Sequence, residues 1–416
     1  MIMLPQNFVP KLPFDGFKWK WASVAPTESI NDPVVLLGLL FRMRKLEPLG
    51  VSYSSEEFAK ELRELSNDIK DSVGVDLGNR TGDRNLIRNS GQYWKAVGLL
   101  AETRGTIQLT EFGRRVADHD ISQTEFAAIT VQTFRLPNTQ TQSTDECQPW
   151  VENGFVIYPL RLILSILREM MLRGYDSSIT TEELIRIVIP LSACKAEIPD
   201  YVNFIIWFRT GQITLVGWPN CVPRANDPRI AREFLLFLSN YGYLVRKEQG
   251  KNLDDIYLYN NEIDSEISAL LVEQPKDESP IKAVEGIAGV ASDIERKRVE
   301  IQRKSRPNQA RFRKELLKAY GRCIITNVTL PEVLEAAHLK PVKYNGEDTI
   351  ANGLPMRMDI HMLFDTGHLR ISDTGEIQLS SRARMDYGAT VPPRVYLPDF
   401  TSRKFLRWRW DNYNGI

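Results

Sequence analysis

Between Arg322 and Ile371, four polar side chains recur at intervals that leave few ways to fold. His338 ends the run Leu-Glu-Ala-Ala-His, Asn352 stands in Ala-Asn-Gly-Leu, and His361 and Asp365 bracket His-Met-Leu-Phe-Asp. Three of the chain's four histidines lie in this stretch. Leu334 to Leu339 reads as a short strand, the run to Asn352 as a turn-rich loop, and Ile360 to Phe364 as the start of a helix. Four residues apart on a helix, His361 and Asp365 leave from one face and can share a divalent metal. His338, at the end of its strand, has no directly adjacent acidic residue to keep it charged, which suits a neutral base near pH 7.

This combination resembles the HNH nuclease family, whose ββα-metal unit carries a His on a hairpin, an Asn in the following loop and a metal-ligand pair on a short helix. The resemblance covers about the last hundred residues. By position it implies that His338 is the general base, Asn352 the loop-bracing residue, and His361 with Asp365 the ligands of one Mg²⁺ or Mn²⁺, with no zinc. Many members place Asp or His directly before the catalytic His as a further ligand, and here that residue is Ala337. Glu335, two positions earlier on the same strand face, or a water, is then expected to fill the gap. Lys340 and Arg357 are expected to clamp phosphate. His368 reads as structural, and His119, in Asp-His-Asp, as a surface or capping residue.

At 416 residues the chain has room for two or three domains. No apolar run is long enough to span a bilayer, and the start, Met-Ile-Met-Leu-Pro-Gln-Asn, lacks signal-peptide order, so a soluble cytoplasmic protein with no membrane partner is expected. The four cysteines contain no CxxC pair, which argues against a structural zinc site or a disulfide framework. The net charge is zero, but residues 303–416 hold 19 Lys+Arg against 12 Asp+Glu, a basic surplus that favours phosphate.

Upstream, Asp32-Pro33 starts a helix through Leu40 and Phe41, Ser54-Ser55-Glu56-Glu57 caps a second, and a third begins near Asp83, with Arg84, Arg88, Asn89, Gln92 and Lys95 on its polar face. A two-stranded wing over Gly98 to Thr110, turning at Gly105, follows. That order is the winged-helix order, in which the third helix can enter a major groove. Arg135 to Tyr158 reads as a loop-rich polar connection. A helix from Pro159, one opened by the capping box Thr180-Thr181-Glu182-Glu183 and one from Asp227, then strands at Tyr243-Leu244-Val245 and Ile256-Tyr257-Leu258, resemble a second such module.

The expected fold is therefore α+β and multidomain. It comprises a winged-helix-like DNA-reading domain (1–135), a second winged-helix-like domain (136–272), a linker and charged helix (273–302) and a C-terminal ββα-metal nuclease domain (303–416). The functional expectation is a sequence-specific restriction endonuclease cutting double-stranded DNA as a homodimer, with restriction and phage defence implied by the resemblance. Two alternatives stay open: a nuclease that requires a methylated base, and a DNA-binding regulator with an inactive nuclease fold. Trp94, Trp150 and Trp207 suit either a flipped base or a core.

Overall fold

A computed structural model describes residues 4–21, 32–73, 85–102, 104–224, 227–248, 254–272, 279–304 and 309–412. The chain divides into two compact units, each assembled from three segments: Met1–Asp32, Arg88–Leu100 and Ala127–Val290, and Pro33–Ile87, Ala101–Phe126 and Ala291–Ile416. Its architecture is a mixture of helices and small antiparallel sheets.

The first helices are α1 (Pro33–Leu46), α2 (Glu56–Val73) and α3 (Asn85–Ala96). Proline in the first turn costs α1 no hydrogen bond, and Arg44 and Lys45 complement the dipole at its end. Ser55 Oγ accepts from Phe58 N at 3.2 Å, capping α2 where Glu56 and Glu57 meet the positive end of the dipole. Strands β1 (Leu100–Glu102) and β2 (Gln108–Leu109) pair after α3, and Ser52 bridges to Thr106. Then come α4 (Glu111–Ala117), capped by Thr110, and α5 (Gln123–Thr133).

The polar connection expected over Arg135 to Tyr158 holds a helix, α6 (Thr144–Glu152), opened by a Ser143–Glu146 capping box. Pro149 inside it disguises the helix in the sequence. Trp150 packs against Phe17 with ring centroids 4.7 Å apart, and both it and Trp94 are buried, so core packing accounts for these two rings.

Next follow α7 (Pro159–Leu172), β3 (Ser178–Thr180), a helical run α8 (181–192) containing a π-turn at Leu184–Val188, α9 (Ile198–Arg209) and α10 (Asp227–Asn240). β4 (Leu244–Lys247) and β5 (Ile256–Tyr259) form a hairpin, and β3 adds to β5, giving the order β3-β5-β4. After α11 (Asp264–Val272), the 25-residue α12 (Pro280–Lys304) takes up most of the stretch expected to hold a linker and a charged helix. Most of the proline-punctuated stretch before it, 273–278, lies outside the described residues.

Glu295 on α12 is 7% exposed, and its Oε1 has no hydrogen-bond partner. Burial pushes its carboxyl from the ordinary 4.5 up to about 8, opposed by the Ser122 hydroxyl and reinforced by Glu125. Across that window the folded chain keeps a proton that the unfolded chain releases. Stability therefore falls as pH rises from about 4.5 to about 8 and levels off above, at a slope of at most about 1.4 kcal/mol per pH unit. Glu295→Gln has no proton to lose. It is expected to melt above the parent protein at pH 8, with the gap closing near pH 5. Calorimetry at both pH values checks this, and an equal gap at both would remove Glu295 as the cause.

The C-terminal part contains α13 (Gln309–Tyr320), the hairpin β6 (Leu334–His338) and β7 (Gly353–Arg357), α14 (Met358–Asp365), a second hairpin β8 (Leu369–Ile371) and β9 (Ile377–Leu379), α15 (Ser381–Tyr387) and α16 (Arg403–Asn412). Leu334, Leu354, Met356, Ile360, Phe364 and Leu406 join strands and helices in one apolar core. Burial of that core fixes the hairpin's register and the helix's face.

Candidate active site

β6 and β7 pair antiparallel so that His338 lies opposite Gly353. Glycine is needed there: a Cβ at Gly353 would lie 2.4 Å from Phe312 Cζ and 2.5 Å from Leu316 Cδ1 on α13. The missing side chain lets Phe312 reach the His338 ring, on which it stacks at 4.4 Å and 27°. His338 is 4% exposed, and its Nε2 lies 2.7 Å from Asp348 Oδ1. This corrects the reading of an isolated His338: the acid is ten residues away in sequence, brought back by the loop. A carboxylate at that distance orients the imidazole.

Asn352 is fully buried and ties that loop at both ends. Its Oδ1 accepts from Lys340 N at 2.8 Å, while Nδ2 donates to Lys340 O at 3.0 Å and to Glu347 O at 2.9 Å. The loop also folds tightly over itself, since a Cβ on Gly346 would lie 1.8 Å from Lys340 O. Such cross-links hold a short irregular segment in one shape.

On α14, His361 Nε2 and Asp365 Oδ2 lie 3.0 Å apart, as the four-residue spacing predicts. Glu335 Oε2 sits 2.7 Å from His361 Nδ1, the ring nitrogen on the other side from Asp365. Burial pulls the His361 ring toward neutrality, but Asp365 and Glu335 outweigh it and push its pKa up to about 9. Ala337, fully buried, packs with Leu354, Ile360 and Phe364 in the core, so its position serves packing.

Arg409 on α16 joins the strand and helix of the site. It is 5% exposed; Nη1 donates to His338 O at 2.9 Å, and Nη2 donates to Phe364 O at 2.5 Å and approaches Asp365 Oδ1 at 3.3 Å. Its guanidinium lies 3.7 Å from the Phe364 ring centroid. The alternating Arg and Trp of residues 407–410 was the one available signal, and it says nothing about which arginine turns inward.

Lys340 is 7% exposed, with Nζ 5.4 Å from the Trp408 ring centroid. Arg357 stands at the N-terminal boundary of α14 and grips Asp359 through two hydrogen bonds of 2.6 and 2.7 Å. His368 Nδ1 meets Ser380 Oγ at 2.9 Å. Far up the chain, Gln92 is exposed and Lys95 half-buried on α3; Arg84 and the side chains of Arg88 and Asn89 lie outside the described residues.

Among the described residues no group of three or more His, Cys, Asp or Glu side chains is placed to hold a metal ion. The donors that do converge are one imidazole nitrogen and one carboxylate, a set open to more than one divalent metal. Glu335 makes the contact usual for a group that fixes the ring of a ligating histidine.

Residues 323–372 match the family model described as HNH endonuclease, so this part of the chain is similar to that family. No curated protein matches the chain. Among solved structures, the BpuJ1 endonuclease binding domain, crystallised with pyrene- and phenanthrene-modified DNA, overlays with a TM-score of 0.40 and 16% identity, covering 59% of this chain and 83% of that one. No helix among the described residues is long and apolar enough to cross a membrane.

Proposed function

We propose that the chain is a metal-dependent endonuclease that hydrolyses phosphodiester bonds in double-stranded DNA, acting as a restriction enzyme. The observation that carries this reading is the single bracket formed by Arg409, which holds the His338 strand end and the Asp365 helix end together. In the reaction, the His338 ring takes a proton from the attacking water, and Asp348 stabilises the imidazolium that results. Asn352 and Phe312 keep that ring in place. His361 Nε2 and Asp365 would hold Mg²⁺ or Mn²⁺, which when bound supplies charge stabilisation at the phosphate. Glu335 keeps His361 in the orientation ligation requires. Arg357 and Lys340 are the proposed phosphate contacts.

DNA reading is assigned to the N-terminal half, within the functional division 1–135, 136–272, 273–302 and 303–416. Two features support winged-helix readers there. Helices α1 to α3 precede the β1–β2 hairpin, and α7 to α10 enclose β3 and precede the β4–β5 hairpin, with β3 joining the hairpin. Arg84, Arg88, Asn89, Gln92 and Lys95 are the proposed groove-facing residues. One such site per chain cuts both strands most simply as a homodimer, and a cytoplasmic role in phage defence follows from this reading.

The test is plasmid cleavage with Mg²⁺ or Mn²⁺, on methylated and unmethylated DNA in parallel. Cutting that EDTA stops is expected, and the methylation arm separates a conventional restriction enzyme from one that requires a modified base. His361→Ala and Asp365→Ala are each expected to abolish metal-dependent cutting. Glu335→Ala should lose roughly 10–100-fold and Glu335→Gln less, because Gln can still accept from Nδ1–H. Cleavage indifferent to EDTA, or equal in the His361 and Asp365 variants, would overturn the reading; equal loss in both Glu335 variants would make Glu335 a direct ligand.

A further inference from the structure

A second polar cleft lies away from the His338 bracket. It has a volume of about 390 Å³ and is walled by α1, α2, the end of α4, β8 and α16. That size falls within the range of about 300–1,000 Å³ typical of small-molecule sites. His119 lines it, 3% exposed, with neither ring nitrogen hydrogen-bonded. Native structures rarely leave a buried imidazole so. Its backbone adopts φ +65°, an uncommon conformation outside glycine that turns the residue off the end of α4.

Arg370 also lines the cleft, and its Nε has no hydrogen-bond partner; its other nitrogens reach Trp410 O and Gln378. Around these two groups the charges pair with one another: Arg44 with Asp118 at 3.0 Å, Lys45 with Glu61 at 2.6 Å and Arg42 with Asp68 at 2.7 Å. Phe41, stacked on His119 at 4.8 Å, and Trp410, 4.2 Å from the Arg370 guanidinium, supply aromatic surface.

These features select a ligand by chemistry. A free anion would suit Arg370 but meet Glu64 and Asp411, which also line the cleft, and a cation would meet Arg370 itself. A neutral planar heterocycle with donors and acceptors along one edge satisfies both. Burial and the nearby Arg370 charge hold His119 well below its usual range, so its ring offers one donor and one acceptor; Arg370 Nε–H adds a donor. We propose that this cleft binds an unpaired nucleobase, its polar edge against His119 and Arg370 and its faces near Phe41 and Trp410. The base belongs either to a DNA strand or to a free nucleoside or nucleotide.

The test is calorimetric titration of the full chain with 2′-deoxyadenosine, 2′-deoxyguanosine, 2′-deoxycytidine and thymidine, none of which carries a phosphate. At least one is expected to bind with Kd below about 1 mM, weakened about tenfold or more by His119→Asn and by Arg370→Gln. Asn tolerates the left-handed backbone, so His119→Asn keeps the turn, and melting curves report whether each variant folds. The unsubstituted titration stands without them. A bound nucleoside that displaces a short single-stranded oligonucleotide places the base in DNA; one that binds without displacing it makes the free base compound the ligand. Absence of binding by all four nucleosides, or binding unchanged in both folded variants, would overturn the proposal.

Discussion

Replacing His338 by Ala is expected to lower single-turnover DNA cleavage by roughly two to four orders of magnitude, the usual contribution of a positioned base. DNA binding should change little. The side chain lost is buried beneath Phe312 and bonded to Asp348, whereas the contact that braces the site, Arg409 to the His338 carbonyl, belongs to the main chain and survives. Asp348→Asn should lose less, because the amide still holds the ring but no longer stabilises its charge. Rapid-quench cleavage beside gel-shift affinity measures both effects. Near-normal cutting by His338→Ala at neutral pH would remove His338 as the base.

Arg409→Met carries the largest expected cost in stability. The substitution keeps much of the stem's packing but strips donors from the carbonyls of His338 and Phe364 and from the Asp365 carboxylate. Breaking a buried charged group away from its partners typically costs about 3–5 kcal/mol. Arg409→Lys should not restore it, since an ammonium lacks the planar fork that reaches acceptors on a strand and a helix at once. Denaturant unfolding measures this. A loss under about 1 kcal/mol, the level of an ordinary exposed ion pair, would mean that Arg409 is not a brace.

The sequence made the site's skeleton legible because spacing along a strand and a helix translates directly into geometry. His361 and Asp365 meet on one helical face, and β6 ends at His338. Caps were readable for the same reason: Ser55 and Thr180 each open a helix where the sequence places them. Contacts set by tertiary folding were not readable. Asp348 reaches His338 only because Asn352 and Gly346 fold the loop back, and Arg409 arrives from 71 residues beyond the carbonyl it holds. His119 shows the same limit: flanked by two aspartates it looks exposed, yet it is 3% exposed beneath Phe41. The helix at Thr144–Glu152 was hidden by Pro149 and by polar composition.

The Arg409 bracket also orders events during synthesis. A ribosome finishes residues 323–372, the whole of the nuclease match, while Arg409 is still untranslated. At ordinary elongation rates the delay is on the order of a few seconds. Through that interval the nascent hairpin and helix lack the side chain that joins them, so a half-made chain is expected not to cut DNA. Cutting competence then appears only when α16 folds back, making the timing of translation itself a safeguard for the cell that produces the enzyme.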